Sequence, residues 1–130
     1  MITFIYNDNL NNDLKVYIEY TNEAWNHIFQ QTKYFVNKKQ LRGSPSYHYE
    51  YGTGALNVFY RWNEFFPRAR TVRVIGTQLF NPWITEQIYE QVPELQNNSD
   101  ALAVGYYIGG GLSNEQASFM TVDDIINYLD

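Results

Sequence analysis

The residues best placed to do chemistry are Asn22 and Glu23, near the end of Tyr17-Ile-Glu-Tyr-Thr-Asn-Glu-Ala-Trp-Asn26. Val16, Tyr17, Ile18, Tyr20 and Thr21 are β-branched or aromatic, the make-up of a strand. That strand stops at two adjacent polar residues, and a helical pattern follows at once. Polar groups at the carboxyl end of a barrel or open-sheet strand face a pocket rather than the core. A carboxyl held there is a candidate general acid or base. Alternation puts Tyr17, Glu19, Thr21 and Glu23 on one side if no bulge intervenes. Glu19 then lies deeper on the same wall, where a carboxylate needs a cationic or hydrogen-bonding partner. Val16, Ile18 and Tyr20 would face covering helices. The plainer alternative is an edge strand with both acids merely solvated.

The elements that must position this pair follow from pattern and punctuation. Residues 1–13 read as a polar lead-in, and three strands are expected at about 15–21, 71–78 and 101–108. A helix is expected over 24–40, broken by Gly43-Ser-Pro45. A second covers about 48–66, with Ala55, Phe59, Trp62 and Phe66 as a stripe beside Val58 and Phe65. Pro67 ends it. Pro82 stands where a third helix would begin, running over 83–91 to a stop before Pro93. Gly109-Gly-Gly111 reads as a turn, and Thr121 with Asp124 resembles a capping box for a last helix. Strands alternating with helices imply parallel pairing and right-handed crossovers, hence an α/β fold. The glycine run lacks the spacing of a dinucleotide or phosphate loop.

Composition narrows the partners. At 130 residues the chain is one domain at most. A net charge of -5 disfavours nucleic acid and anionic membrane surfaces. No apolar run is long enough to span a bilayer, and the first ten residues do not read as a signal peptide. With no Cys and only His27 and His48, no metal site or other cofactor is expected. Aromatics are abundant, with 12 Tyr, 8 Phe and 3 Trp. Most are good strand and core residues, but Trp25 and Trp83 each lie just beyond a strand end. Flat side chains with polar rims suit the apolar faces of sugar rings.

The segment Val-Tyr-Ile-Glu-Tyr-Thr-Asn-Glu-Ala-Trp-Asn26 resembles the fourth strand of the retaining glycoside hydrolases with a (β/α)8 barrel, often called clan A. Its longer form is closer to a bacterial branch described as putative cellulose-binding or glycosidase-like proteins. The resemblance implies that Glu23 is the acid/base and that Asn22 holds the sugar 2-hydroxyl. It makes the three strands barrel strands four, five and six. Tyr107 then falls where a pocket Tyr bonds the nucleophile, with Tyr106 the alternative if a bulge shifts the register. Trp25, Asn26, Gln78 and Trp83 join Asn22 as expected substrate-binding residues. The clan often continues Asn-Glu into Pro, whereas Ala24 follows here, which marks a divergent branch.

A complete barrel has eight strands and about 250 residues, so the chain reads as the middle of a larger one. Retaining hydrolysis needs two carboxyl groups about 5–5.5 Å apart. The clan's nucleophilic Glu ends strand seven, beyond this sequence, and Glu115 lies in a polar loop and is no substitute. The expectation is a glycoside hydrolase fragment that holds the acid/base without the nucleophile and is inactive alone. A carbohydrate-binding protein on the same scaffold is the first alternative. An unrelated α/β domain that self-associates through open sheet edges is the second. Residues 40–50 read as a lip beside the cleft, where His48 either touches substrate or, as base rates favour, is a plain surface residue.

Overall fold

The computed structural model describes residues 10, 11, 13–105, 113, 115 and 118–129. In chain order the elements are β1 (Val16–Glu19), α1 (Gln30–Arg42), α2 (Tyr47–Asn63), β2 (Thr71–Gln78), α3 (Pro82–Gln91), α4 (Leu95–Asn98), β3 (Ala101–Gly105) and α5 (Val122–Leu129). The strands form one parallel sheet in the order β1-β2-β3, as the alternation of strands and helices predicts. Val16 pairs with Thr71 and Glu19 with Val74, while Val74 pairs with Ala101 and Gln78 with Gly105.

This register fixes the two faces of the sheet, because residues paired across strands share a face. Ile18 and Ile75 point to one side, into a core with Phe35 of α1 and Tyr51, Ala55 and Phe59 of α2. Ile84 and Ile88 of α3 and Leu95 of α4 close that core. Val16 and Tyr20 pack against it, so Val16, Ile18 and Tyr20 meet the helices as the alternation predicts. The opposite face carries Tyr17, Glu19, Gly76 and Ala103, and Tyr17 is 70% exposed there.

Several boundaries differ from the sequence-based expectation. β1 ends at Glu19 rather than Thr21, because Thr21 adopts a left-handed backbone with φ of 60°. The first helix starts at Gln30, not residue 24. Asn26 ends the intervening loop: its side-chain oxygen accepts from Ile28 N at 3.2 Å and its carbonyl accepts from Phe29 N at 3.1 Å. Such local bonds compete with helix formation. α2 ends at Asn63, where the chain turns through Phe65 N donating to Trp62 O; Phe66 stays buried but Phe65 is exposed. The short α4 after Pro93 was not anticipated.

Other signals match. Gly43 is the left-handed cap of α1, Pro82 opens α3, and Thr121 and Asp124 exchange both bonds of a capping box before α5. Residues 106–108, the expected end of the third strand, and Gly109–Gly111 lie outside the described residues, as do most of residues 1–13.

Candidate functional site

The loop from Tyr20 to Phe29 is built to hold Glu23 at the carboxyl end of the sheet. Thr21 and Glu23 both have positive φ, 60° and 43°, an unusual state for residues with a Cβ. Such backbone persists only where its surroundings over-determine it, and it clusters at functional sites. Here α1 supplies the grip. Gln31 Nε2 donates to Asn22 O at 2.6 Å, and the buried Thr32 hydroxyl donates to Asn26 O at 2.6 Å. A turn closes between them as Asn26 N donates to Glu23 O at 2.9 Å. Ala24 drops into the core, so the position where the clan often has Pro is one where a small side chain is buried.

These constraints aim Asn22, Glu23 and Trp25 into a cleft of about 210 Å³. Its floor is Glu19, Gly76 and Thr77, and its far wall is Ala103 to Gly105. The cleft opens at the carboxyl ends of all three strands, where parallel-sheet proteins place their ligands. Asn26 Nδ2 donates to Glu23 Oε2 at 2.9 Å and so fixes the carboxylate. Burial pushes the Glu19 carboxyl above its ordinary range. Its oxygen lies over the bare Cα of Gly76, where a methyl group would come within 2.7 Å of it.

Of the residues singled out from the sequence, the structure brings Glu23, Asn22 and Trp25 together in the cleft, with Asn26 bonded to Glu23. Gln78 ends β2, half-buried and in register with Gly105, but does not line the cleft. Trp83 stands apart: it is half-exposed at the start of α3, edge-on to His48 with ring centres 5.2 Å apart. Tyr107 and Tyr106 lie outside the described residues. His48 corrects the expectation of a surface residue. It is only 4% exposed, its ring 3.9 Å from that of Tyr47, and burial lowers its pKa, with His27 adding to the effect. The hydrophobic half of α2 draws it in, between Tyr47 and the core residues Ile84 and Ile88.

Sequence reasoning missed Gly76. An isolated glycine inside a strand is a signal of close approach by another group, and here that group is Glu19. Among the described residues no cluster of three or more metal-ligating side chains occurs, and no helix is long and apolar enough to cross a membrane.

Fold and site together define an α/β chain on a parallel sheet, with an acidic, Trp-walled cleft at the strands' carboxyl ends. Compared with known proteins, the chain matches no family model, no curated protein and no solved structure.

Proposed function

We propose that the chain carries the acid/base part of a retaining glycoside hydrolase site acting on a poly- or oligosaccharide, on a portion of a (β/α)8 barrel. One observation carries this reading: Glu23, between Asn22 and Trp25, is held with left-handed backbone in a cleft at the carboxyl ends of parallel strands. In this reading Glu23 gives its proton to the leaving glycosidic oxygen. Asn22 holds the 2-hydroxyl, a contact that strengthens as the oxocarbenium-like transition state forms. Trp25 stacks on the apolar face of a ring. The nucleophile comes from a strand beyond β3.

A second reading is a carbohydrate-binding protein without turnover. It is favoured by the Asn26 amide, which already occupies one oxygen of Glu23.

Titration of the 15N-labelled chain with cellotetraose, xylotetraose and mannotetraose tests the shared premise. Amide shifts are expected at residues 19–26, 76–77 and 103–105 with at least one of them. No response from any would remove the carbohydrate reading. Aryl-glycoside assays then separate the two forms. The chain alone is expected to release no phenol, and turnover abolished by Glu23→Gln would mean that both carboxyl groups are already present.

A further inference from the structure

His48 is only 4% exposed, and its Nε2 atom is buried with no hydrogen-bond partner among the described residues. A buried polar atom left in that state is unfavourable, so folding alone does not call for a histidine here. The space beside the ring is too small for a water molecule, and Ala24 and Trp25 form part of its wall. Those two residues directly follow Glu23, so the loop that holds the acid also seals His48. Trp25 and Gly76 are shared with the cleft itself, where Glu19 and Glu23 lie.

No carboxylate lines the space around the imidazole. Its titratable neighbours are Tyr47 and Tyr51 of α2 and, past Tyr47, His27 of the loop, whose ring centre is 5.4 Å from that of Tyr47. The Tyr51 hydroxyl accepts from Gly76 N at 2.9 Å. β2 presents only Gly76, and α3 presents Trp83, Ile84 and Ile88, none of which titrates.

We infer that His48 is a pH-sensitive latch on the Glu23 loop: the neutral imidazole lets Ala24 and Trp25 close over it, and the imidazolium drives them off and takes the cleft apart. Protonation puts a hydrogen on both ring nitrogens, so Nε2 becomes a charged donor with no acceptor within hydrogen-bond distance. Burying that ion costs far more than burying the neutral ring. Burial accordingly lowers the His48 pKa from 6.5, and the neighbouring His27 lowers it further. The closed loop therefore has its full stability above pH 6.5 and loses it as pH falls through the lowered value. Withdrawal of Trp25 admits water to Nε2 and relieves the ion. The other end of the sheet holds over this range, because Arg73 keeps Asp100 ionised. The latch acts on the cleft whatever ligand the cleft takes.

The test is an NMR titration of the whole chain, labelled with 15N and 13C, from pH 7.5 to 4.5. The His48 ring should titrate below 6.5. Amides of residues 20–26 should move with the same midpoint while those of 71–74 stay in place. His48→Phe and His48→Gln cannot take the proton, so either should abolish that component and leave only what the cleft carboxyls contribute. His27→Gln removes the second cation and should move the His48 midpoint up. Thermal melts report whether each variant is folded, and His48→Gln serves if the phenyl ring is not accommodated. A His48 midpoint at or above 6.5 would mean that the Tyr47 and Trp83 rings or solvent stabilise the cation, and would overturn the latch. Loop shifts that persist unchanged in the folded His48 variants would assign them to the carboxyls and overturn it as well. Movement of residues 71–74 together with the loop would be global unfolding and would overturn the local opening.

Discussion

The two ends of the sheet treat their acids in opposite ways. At the amino end, Asp100 precedes β3 and accepts from Arg73 N at 2.9 Å, Arg73 Nε at 3.0 Å and Arg68 Nη2 at 2.5 Å. The buried Arg73 guanidinium is completed by Asn98 Oδ1 and Asn97 O. At the carboxyl end, Glu19 has no such partner among the described residues, and Glu23 is fixed by the Asn26 amide. Saturated pairing at one end ties β2 to the turn before β3. At the other end the exposed Glu19 carboxyl has no such cluster of cationic donors among the described residues. In parallel α/β folds the same division separates the end that secures stability from the end that binds.

The largest expected effect breaks the saturated end. Asp100→Ala leaves the Arg73 guanidinium buried without its counter-charge, and removing one partner of a buried pair costs about 3–5 kcal/mol. Urea denaturation should show that loss, while the amide shifts of residues 19–26 stay in place. A loss under about 1 kcal/mol would mean the network is solvated and the contrast between the ends is false.

Two glycines sharpen the comparison further. A Cβ at Gly54, in α2, would lie 2.5 Å from the Tyr20 ring. That ring is packed against Phe35 and Tyr51, with centres 5.8 and 6.1 Å away, which hinders its retreat. Gly54→Ala should therefore cost about 1–3 kcal/mol, the usual penalty of overpacking. Gly76→Ala meets the far end of the exposed Glu19 side chain instead, and should cost under about 1 kcal/mol by the same measure. Equal losses in thermal melts would show that Glu19 is as tightly held as the core.

How much of this was legible follows from how local each signal is. The bounds of β2, the Pro82 start of α3, the Gly43 cap and the Thr121–Asp124 box are set by residues a few positions apart, and the sequence reading has them. The short α4 is missed because Leu95–Asn98 is too brief for any periodicity. The loop before α1 is misread as helix because its apolar residues fit helical spacing, while the Asn26 and Thr32 bonds that oppose it depend on the folded chain. In the site, Asn22, Glu23 and Trp25 are legible because they follow a strand directly. The burial of His48 and the notch at Gly76 are not, since both depend on residues from other elements. Pairing of Arg73 with Asp100, 27 residues on, leaves no local trace at all.

The smallest effect is the one that distinguishes the two ends by sign. Hydrogen bonds from Arg73 hold the Asp100 carboxyl well below its ordinary 3.8, with Arg68 adding to them. Its contribution to stability is therefore full above that value and is lost as pH falls through the depressed folded pKa. Burial raises Glu19 above its ordinary 4.5, so the folded state holds that proton more tightly than the unfolded chain does. Stability is full below 4.5 and declines as pH rises through the raised folded pKa. Asp100→Asn should thus be destabilised at neutral pH, with the deficit closing in acid. Glu19→Gln should match the wild type near pH 4 and gain on it towards pH 7, by less than about 1 kcal/mol because its carboxyl keeps some water. Stability curves measured in urea from pH 3 to 8 should slope apart for the two variants. Parallel slopes would mean that Glu19 is paired after all and that the two ends of the sheet do not differ in this way.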